Sequence, residues 1–328
     1  MSSHLLTQRT LAPISLEQIE EARGRIRGHV VRTPMVRLNV EDSDREVFLK
    51  LENLQPTGSF KVRGASNAIS LAGPEAKSRG VYTCSAGNMA QALAWQARER
   101  GIGCTAIVPD NAPRTKLQAI ERYGGRIIQI PFDEVWKVAT THEYAPLKDS
   151  VFIHPFANPN MIAGNGTAGL EILEDVPEVE SVVIPFGGGG LSTGIASAVK
   201  AKKSRVKVYT VEPETAAPLA ASLKAGRPVD FDRIPSFVDG IGARNVLPEM
   251  FNLIRLLADH GLVCSLKEIA DSVRLLAERN RIVAEGAGAA SVAAAVSGKA
   301  GVGKIVCVVS GGNIDSAVLA RILSGQMP

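Results

Sequence analysis

Short apolar runs rich in β-branched residues alternate with longer Ala-rich runs along most of the chain, and this rhythm restricts the fold more than any other feature of the sequence. The short runs Val47–Leu51, Gly80–Cys84, Cys104–Val108, Arg126–Ile130, Val151–His154, Val182–Pro185, Val206–Val211 and Ile305–Val309 predict strands. Between them, Asn88–Arg100, Arg114–Arg122, Gly164–Leu173, Ser192–Lys202, Leu266–Asn280 and Ile314–Leu323 predict helices. Strands that are almost continuously apolar must be covered on both faces, as in parallel sheets with helices on either side. The fold class is therefore α/β, built from two doubly wound α/β domains. A length of 328 residues accommodates both. The compact strand–helix series over residues 73–152 predicts the smaller domain, and residues 1–72 with 153–328 predict a larger, discontinuous one. Ligands of open α/β sheets gather beyond the carboxyl ends of the strands, so the cleft between the domains is where a site is expected.

Composition removes several function classes. Charged residues are an ordinary 21% and apolar residues 45%, which argues against extended disorder. No apolar run approaches the ~18 residues of a membrane span. The nearest, Gly286–Gly298, is mostly Ala and Gly and suits a tightly packed helix. Met1–Ile26 has no apolar core and carries Glu17, Glu20 and Glu21, so a secretory signal is not expected and the cytoplasm is the expected compartment. The four cysteines form no CxxC pair, and the five histidines (His4, His29, His142, His154, His260) show no HxH or HxxxH spacing, against a disulfide framework or a histidine metal centre. With a net charge of +4, scattered lysines and 5% aromatics, no nucleic-acid partner is expected.

Four motifs fall at predicted strand ends. In Lys50–Ala65, Pro56 and Gly58 make a turn, Ser59 is placed to cap a helix opening at Phe60, and Lys61 lies in its first turn. An ammonium there is disfavoured by the helix dipole, so Lys61 is either an exposed lysine or one whose neutral amine can form a Schiff base. Thr83–Ala90 is a second turn and helix start, with Ser85, Ala86, Gly87, Asn88 and Met89; it is an ordinary capped turn or a grip for a carboxylate or phosphate. The third, Gly187-Gly188-Gly189-Gly190-Leu191, suits a phosphate held by consecutive amides. Glu212, ending the next strand, allows a nicotinamide-dependent dehydrogenase, although Ser192 and Thr193 break the G-x-G-x-x-G spacing. The fourth is Ser310-Gly311-Gly312-Asn313, where Ser310 either caps a helix near Ile314 or faces a ring nitrogen of a cofactor.

Together these motifs resemble the fold-type II pyridoxal-phosphate enzymes of the threonine/serine dehydratase and serine racemase family, from about Leu16 to Leu323. Arg32-Thr33-Pro34, His154-Pro155-Phe156 and Gly164-Asn165-Gly166-Thr167 fit the same pattern. The resemblance implies that Lys61 carries pyridoxal phosphate and removes the substrate Cα proton. It implies that Phe60 and Asn88 contact the cofactor, that Gly187–Gly190 and Leu191 hold its phosphate, and that Ser310 faces its ring nitrogen. Ser85, Ala86, Gly87, Asn88 and Met89 would bind the substrate carboxylate. The implied reaction is β-elimination of water from an L-threonine- or L-serine-type substrate, giving a 2-oxo acid and ammonia. An amino-acid racemase is the alternative within the family, and a homodimer is compatible with the resemblance.

Three positions depart from the family pattern. Met89 replaces a histidine, so either the pocket admits a bulkier substituent such as a 3-aryl-serine or only its backbone matters. Ala86 replaces the second serine of racemases, which disfavours racemisation. The family cation site is matched at Glu212 and Ala216, but Pro218 replaces its acid, so a bound Mg²⁺ or Ca²⁺ would lack a ligand. The chain ends soon after the last motif, which leads us to expect a catabolic form without a regulatory domain.

Overall fold

The computed structural model describes residues 11–42 and 44–328; His4 and the start of Met1–Ile26 lie outside them. The described strands are β1 Met35–Arg37, β2 Arg45–Leu51, β3 Val81–Cys84, β4 Cys104–Pro109, β5 Arg126–Ile130, β6 Val151–Phe152, β7 Ser181–Pro185, β8 Lys207–Pro213, β9 His260–Cys264 and β10 Gly303–Val309. The helices are α1 Leu16–Ile26, α2 Lys61–Arg79, α3 Asn88–Arg98, α4 Arg114–Arg122, α5 Phe132–Thr141 and α6 Pro159–Asp175. They continue as α7 Gly190–Lys202, α8 Pro218–Ala225, α9 Pro248–Ile254, α10 Leu266–Leu275, α11 Gly286–Val296 and α12 Ser316–Leu323.

One sheet has the order β1-β2-β10-β7-β8-β9 and the other β5-β4-β3-β6. Every neighbouring pair is parallel except β1 with β2, so the α/β class expected from the rhythm holds. The larger sheet is covered on both faces with a period of two. Val182, Ile184, Val208, Val306 and Val308 pack with Ile195 and Val199 of α7, whereas Val183, Val211, Leu49, Ile305 and Cys307 pack with α10 and α11. On α11 every residue from Gly286 to Ala295 is buried, and a Cβ on Gly288 would lie 2.4 Å from the Gly311 carbonyl oxygen. Small residues are therefore needed for that helix to approach the turn after β10.

Behind α2 sits a buried cluster of four charges. Arg63 makes paired hydrogen bonds of 2.7–2.8 Å to both oxygens of Glu52, and paired bonds of 2.8 Å to both oxygens of Glu171. Lys50 donates to the Thr33 carbonyl at 2.7 Å and pairs with Glu171 at 2.6 Å. Thr33 donates to Glu52 at 2.6 Å. Two cations face two carboxylates with nearly every valence used, as a charge removed from water requires. This cluster pins β2, α2 and α6 together directly beneath the start of α2. Gly164 lets α6 touch α2: a Cβ there would lie 2.6 Å from the Arg63 carbonyl oxygen.

Candidate active site

Lys61 opens α2, and the turn leading into it is braced from the far end of the chain. Ser59 pairs with Gly311 in an antiparallel bridge, Phe60 N–H donates to the Ser310 carbonyl at 3.0 Å, and Gly312 N–H donates to the Gly58 carbonyl at 2.9 Å. Asn313 Nδ2 donates to the Thr57 carbonyl at 2.8 Å. Ser59 does not cap α2 as expected. Phe60 holds that position without a side-chain bond, because the Ser59 backbone is committed to the bridge and its side chain is buried. The Lys61 amine donates to the Pro155 carbonyl at 2.6 Å and lies 5.1 Å from the centre of the Phe60 ring. Burial, with no cation beside it as a cause, pulls its pKa down to about 8. A neutral amine is then accessible close to neutral pH.

The glycine loop joins β7 to α7. A Cβ on Gly188 would lie 2.3 Å from the Phe156 ring, and Gly189 holds φ at +89°, so neither position accepts a side chain. Phe186 N–H donates to Val211, and the next N–H with a protein acceptor is that of Thr193, on Gly189. The amides of Gly187, Gly188, Gly189, Gly190 and Leu191 thus have no acceptor among the described residues, at the start of a 13-residue helix. Such a run of donors at a helix N-terminus favours an anion.

A cavity of about 340 Å³ brings these parts together with Ser310 and with Ser85, Gly87, Asn88 and Met89. Ala86 does not line it and instead packs against Ala90, Ala106 and Val108. Met89 is only 1% exposed and belongs to the apolar core between α2 and α3, so its side chain does not widen the pocket. Ser310 caps no helix: α12 begins at Ser316 with Asp315 as its cap. Asn88 bridges two other segments of the site. Its Nδ2 donates to Glu285 Oε1 at 2.8 Å, and its Oδ1 accepts from Asn313 Nδ2 at 2.8 Å, leaving one amide hydrogen for a ligand.

Four lining residues were missed by sequence reasoning. Glu285 is buried, and burial together with the negative charge of Asp239 pushes its pKa up to about 7. As an isolated acid before an Ala/Gly-rich helix it carries no spacing signal. Lys116 of α4 pairs with Asp239 at the cavity, an ion pair between residues far apart in sequence. Pro155 belongs to the His154-Pro155-Phe156 motif, but nothing in that motif points to its carbonyl. The expected cation residues lie elsewhere: Glu212 Oε1 and Oε2 accept the N–H groups of Leu219 at 2.9 Å and Ala220 at 2.8 Å, at the start of α8, where Pro218 is the first residue. With both oxygens turned to α8, Glu212 and the buried Ala216 make no cation site, and among the described residues no three His, Cys, Asp or Glu side chains come together to hold a metal. The same burial keeps Glu212 from the ribose contact a dehydrogenase would need.

A family model described as "Pyridoxal-phosphate dependent enzyme" matches residues 26–311. The chain belongs to the pyridoxal-phosphate-dependent enzyme family. It is 41% identical over 320 residues to an L-threonine ammonia-lyase of Thermotoga maritima, covering 95% of this chain and 78% of that protein. Among solved structures it is similar to maize serine racemase, with a TM-score of 0.87, 32% identity and coverage of 96% of this chain and 98% of that one. It is also similar to a bacterial threonine deaminase, with a TM-score of 0.84, 33% identity and coverage of 92% and 99%. The fold is that of fold-type II enzymes, and the cofactor is pyridoxal phosphate. The site fits that group on its own geometry: a side-chain-free loop of unpaired amides and a desolvated amine share one cavity. Among the described residues no helix is long and apolar enough to cross a membrane.

Proposed function

We propose that the chain is a pyridoxal-phosphate-dependent dehydratase that converts a β-hydroxy-α-amino acid of the L-threonine or L-serine kind into a 2-oxo acid and ammonia. The observation that carries the reading is the Lys61 amine, held near neutrality in the same cavity as the unpaired amides of the glycine loop. The names of the threonine ammonia-lyase and threonine deaminase relatives support it. When bound, pyridoxal phosphate supplies an electron sink that makes the substrate Cα proton labile and lets the β-hydroxyl leave.

In this reading Lys61 anchors the cofactor and moves the Cα proton at its Nζ. Gly187–Gly190 and Leu191 hold the phosphate, Phe60 and Asn88 contact the ring, and the Ser310 hydroxyl faces the ring nitrogen as a neutral partner. The Ser85–Met89 turn, through its backbone and the Ser85 and Asn88 side chains, binds the substrate carboxylate. Water leaves from the β-carbon, the released enamine tautomerises, and hydrolysis returns one water to give the 2-oxo acid and ammonia. We assign residues 73–152 to a small domain that closes over the substrate and the remainder to the cofactor-binding domain. Substrates with small β-substituents are preferred, because Met89 is packed into the core.

The test is direct. The purified protein should show a visible absorption band bleached by borohydride and should release 2-oxo acid from L-threonine. Lys61→Ala should lose both. Accumulation of the D-isomer without 2-oxo acid would replace the dehydratase with a racemase.

A further inference from the structure

We propose that His154 is a positioning residue that sets the lysine and the glycine loop through a single turn. His154 follows β6 and is 2% exposed. Its Nδ1 accepts the N–H of Phe156 at 3.1 Å and that of Ala157 at 2.7 Å, while its Nε2 lies 3.0 Å from the Ala139 carbonyl on α5. A carbonyl oxygen only accepts, so the ring proton is on Nε2 and the Nδ1 lone pair faces the two amides. The imidazole therefore acts as a fixed acceptor that folds residues 154–157 into a tight turn.

That turn meets both halves of the site. The Pro155 carbonyl accepts the Lys61 amine at 2.6 Å. The Phe156 ring occupies the space where a Gly188 side chain would be, and the Phe156 carbonyl oxygen lies 2.9 Å from a Cβ built on Gly190. The His154 ring meets the Phe156 ring edge-on at 4.5 Å and 89°, and the His142 ring at the end of α5 lies 4.4 Å from the other side. One imidazole thus links α5, which flanks the smaller sheet, to the amine and to the loop.

This inference rests on the proposed cofactor site, and its test separates the two. Asparagine places its Oδ1 as far along the side chain as His Nδ1, so His154→Asn keeps the acceptor for the turn. Glutamine places its amide near Nε2, so His154→Gln keeps the Ala139 partner and loses the acceptor. Equilibrium dialysis of pyridoxal phosphate against the apo chain, with kcat measured alongside, should find the Asn variant within about threefold of wild type. The Gln variant should bind about tenfold more weakly, the size of one lost buried hydrogen bond. A purely structural role through Ala139 gives the reverse order. Gln binding as well as or better than Asn would overturn the proposal while leaving the cofactor site intact. A wild-type chain that binds no cofactor would overturn both. Should the Gln variant not fold, the Asn variant decides: affinity kept within threefold supports the proposal, and a loss of about tenfold or more overturns it.

Discussion

Lys61 combines two demands that conflict in water: it must be charged enough to move a proton and neutral enough to attack a carbonyl. Burial resolves the conflict by lowering its pKa to about 8. Capture of cofactor by the apo protein needs the free amine, so its rate, followed by stopped-flow absorbance, should rise as pH passes through about 8. The folded-state value lies below the ordinary 10.5, so the folded protein carries a destabilising charged amine below about pH 8 and regains that stability as pH rises from 8 toward 10.5. Lys61→Met should therefore raise Tm below pH 8, with the gain fading at higher pH. Gly188 tests the glycine loop in the same way. A methyl there meets the Phe156 ring at 2.3 Å, so Gly188→Ala should cost about 1–3 kcal/mol in denaturant unfolding and weaken cofactor binding.

Among the elements, α2 and α8 are held by buried carboxylates in opposite ways. At α2 the carboxylates are fully paired, so Arg63→Met would leave Glu52 and Glu171 facing one another with Lys50 alone to compensate. An unfolding free energy lower by about 3–5 kcal/mol is expected in urea titration. At α8 no cation stands by, and burial raises Glu212 to about 8 even though two backbone amides oppose the rise. The folded state then holds a proton that the unfolded state releases above its ordinary 4.5, so stability falls as pH rises from 4.5 to 8. Glu212→Gln should flatten that slope, by up to about 1.4 kcal/mol per pH unit, in unfolding curves across the window. Legibility in the sequence follows the same physics. Strands β2, β7 and β10 were readable because burial on both faces demands apolar runs. The edge strands β1 and β9 were missed because half-exposed Met35–Arg37 and His260–Cys264 carry no such run. Four consecutive glycines announce a loop that tolerates no side chain, whereas Glu285 and Asp239 act through tertiary placement that spacing does not encode.

For the molecule as a whole, the cavity is a seam between the two sheets. Asn88 on α3 reaches Glu285 and Asn313, and Lys116 on α4 reaches Asp239. The Lys116–Asp239 pair is partly exposed and is worth little to overall stability. Lys116→Ala should leave Tm nearly unchanged yet raise KM several-fold through looser closure, a split visible in steady-state kinetics beside a melting curve. The pairing of Ser59 with Gly311 has a further consequence, in time rather than space. The lysine leaves the ribosome early, but β10 and the turn that braces it are among the last described segments to be made. During synthesis Lys61 therefore waits on an unsupported turn while some 250 residues follow it. A chain halted before β10 holds the reactive residue and the glycine loop without the brace that sets them in register, so competence to bind the cofactor comes late in the life of the nascent protein.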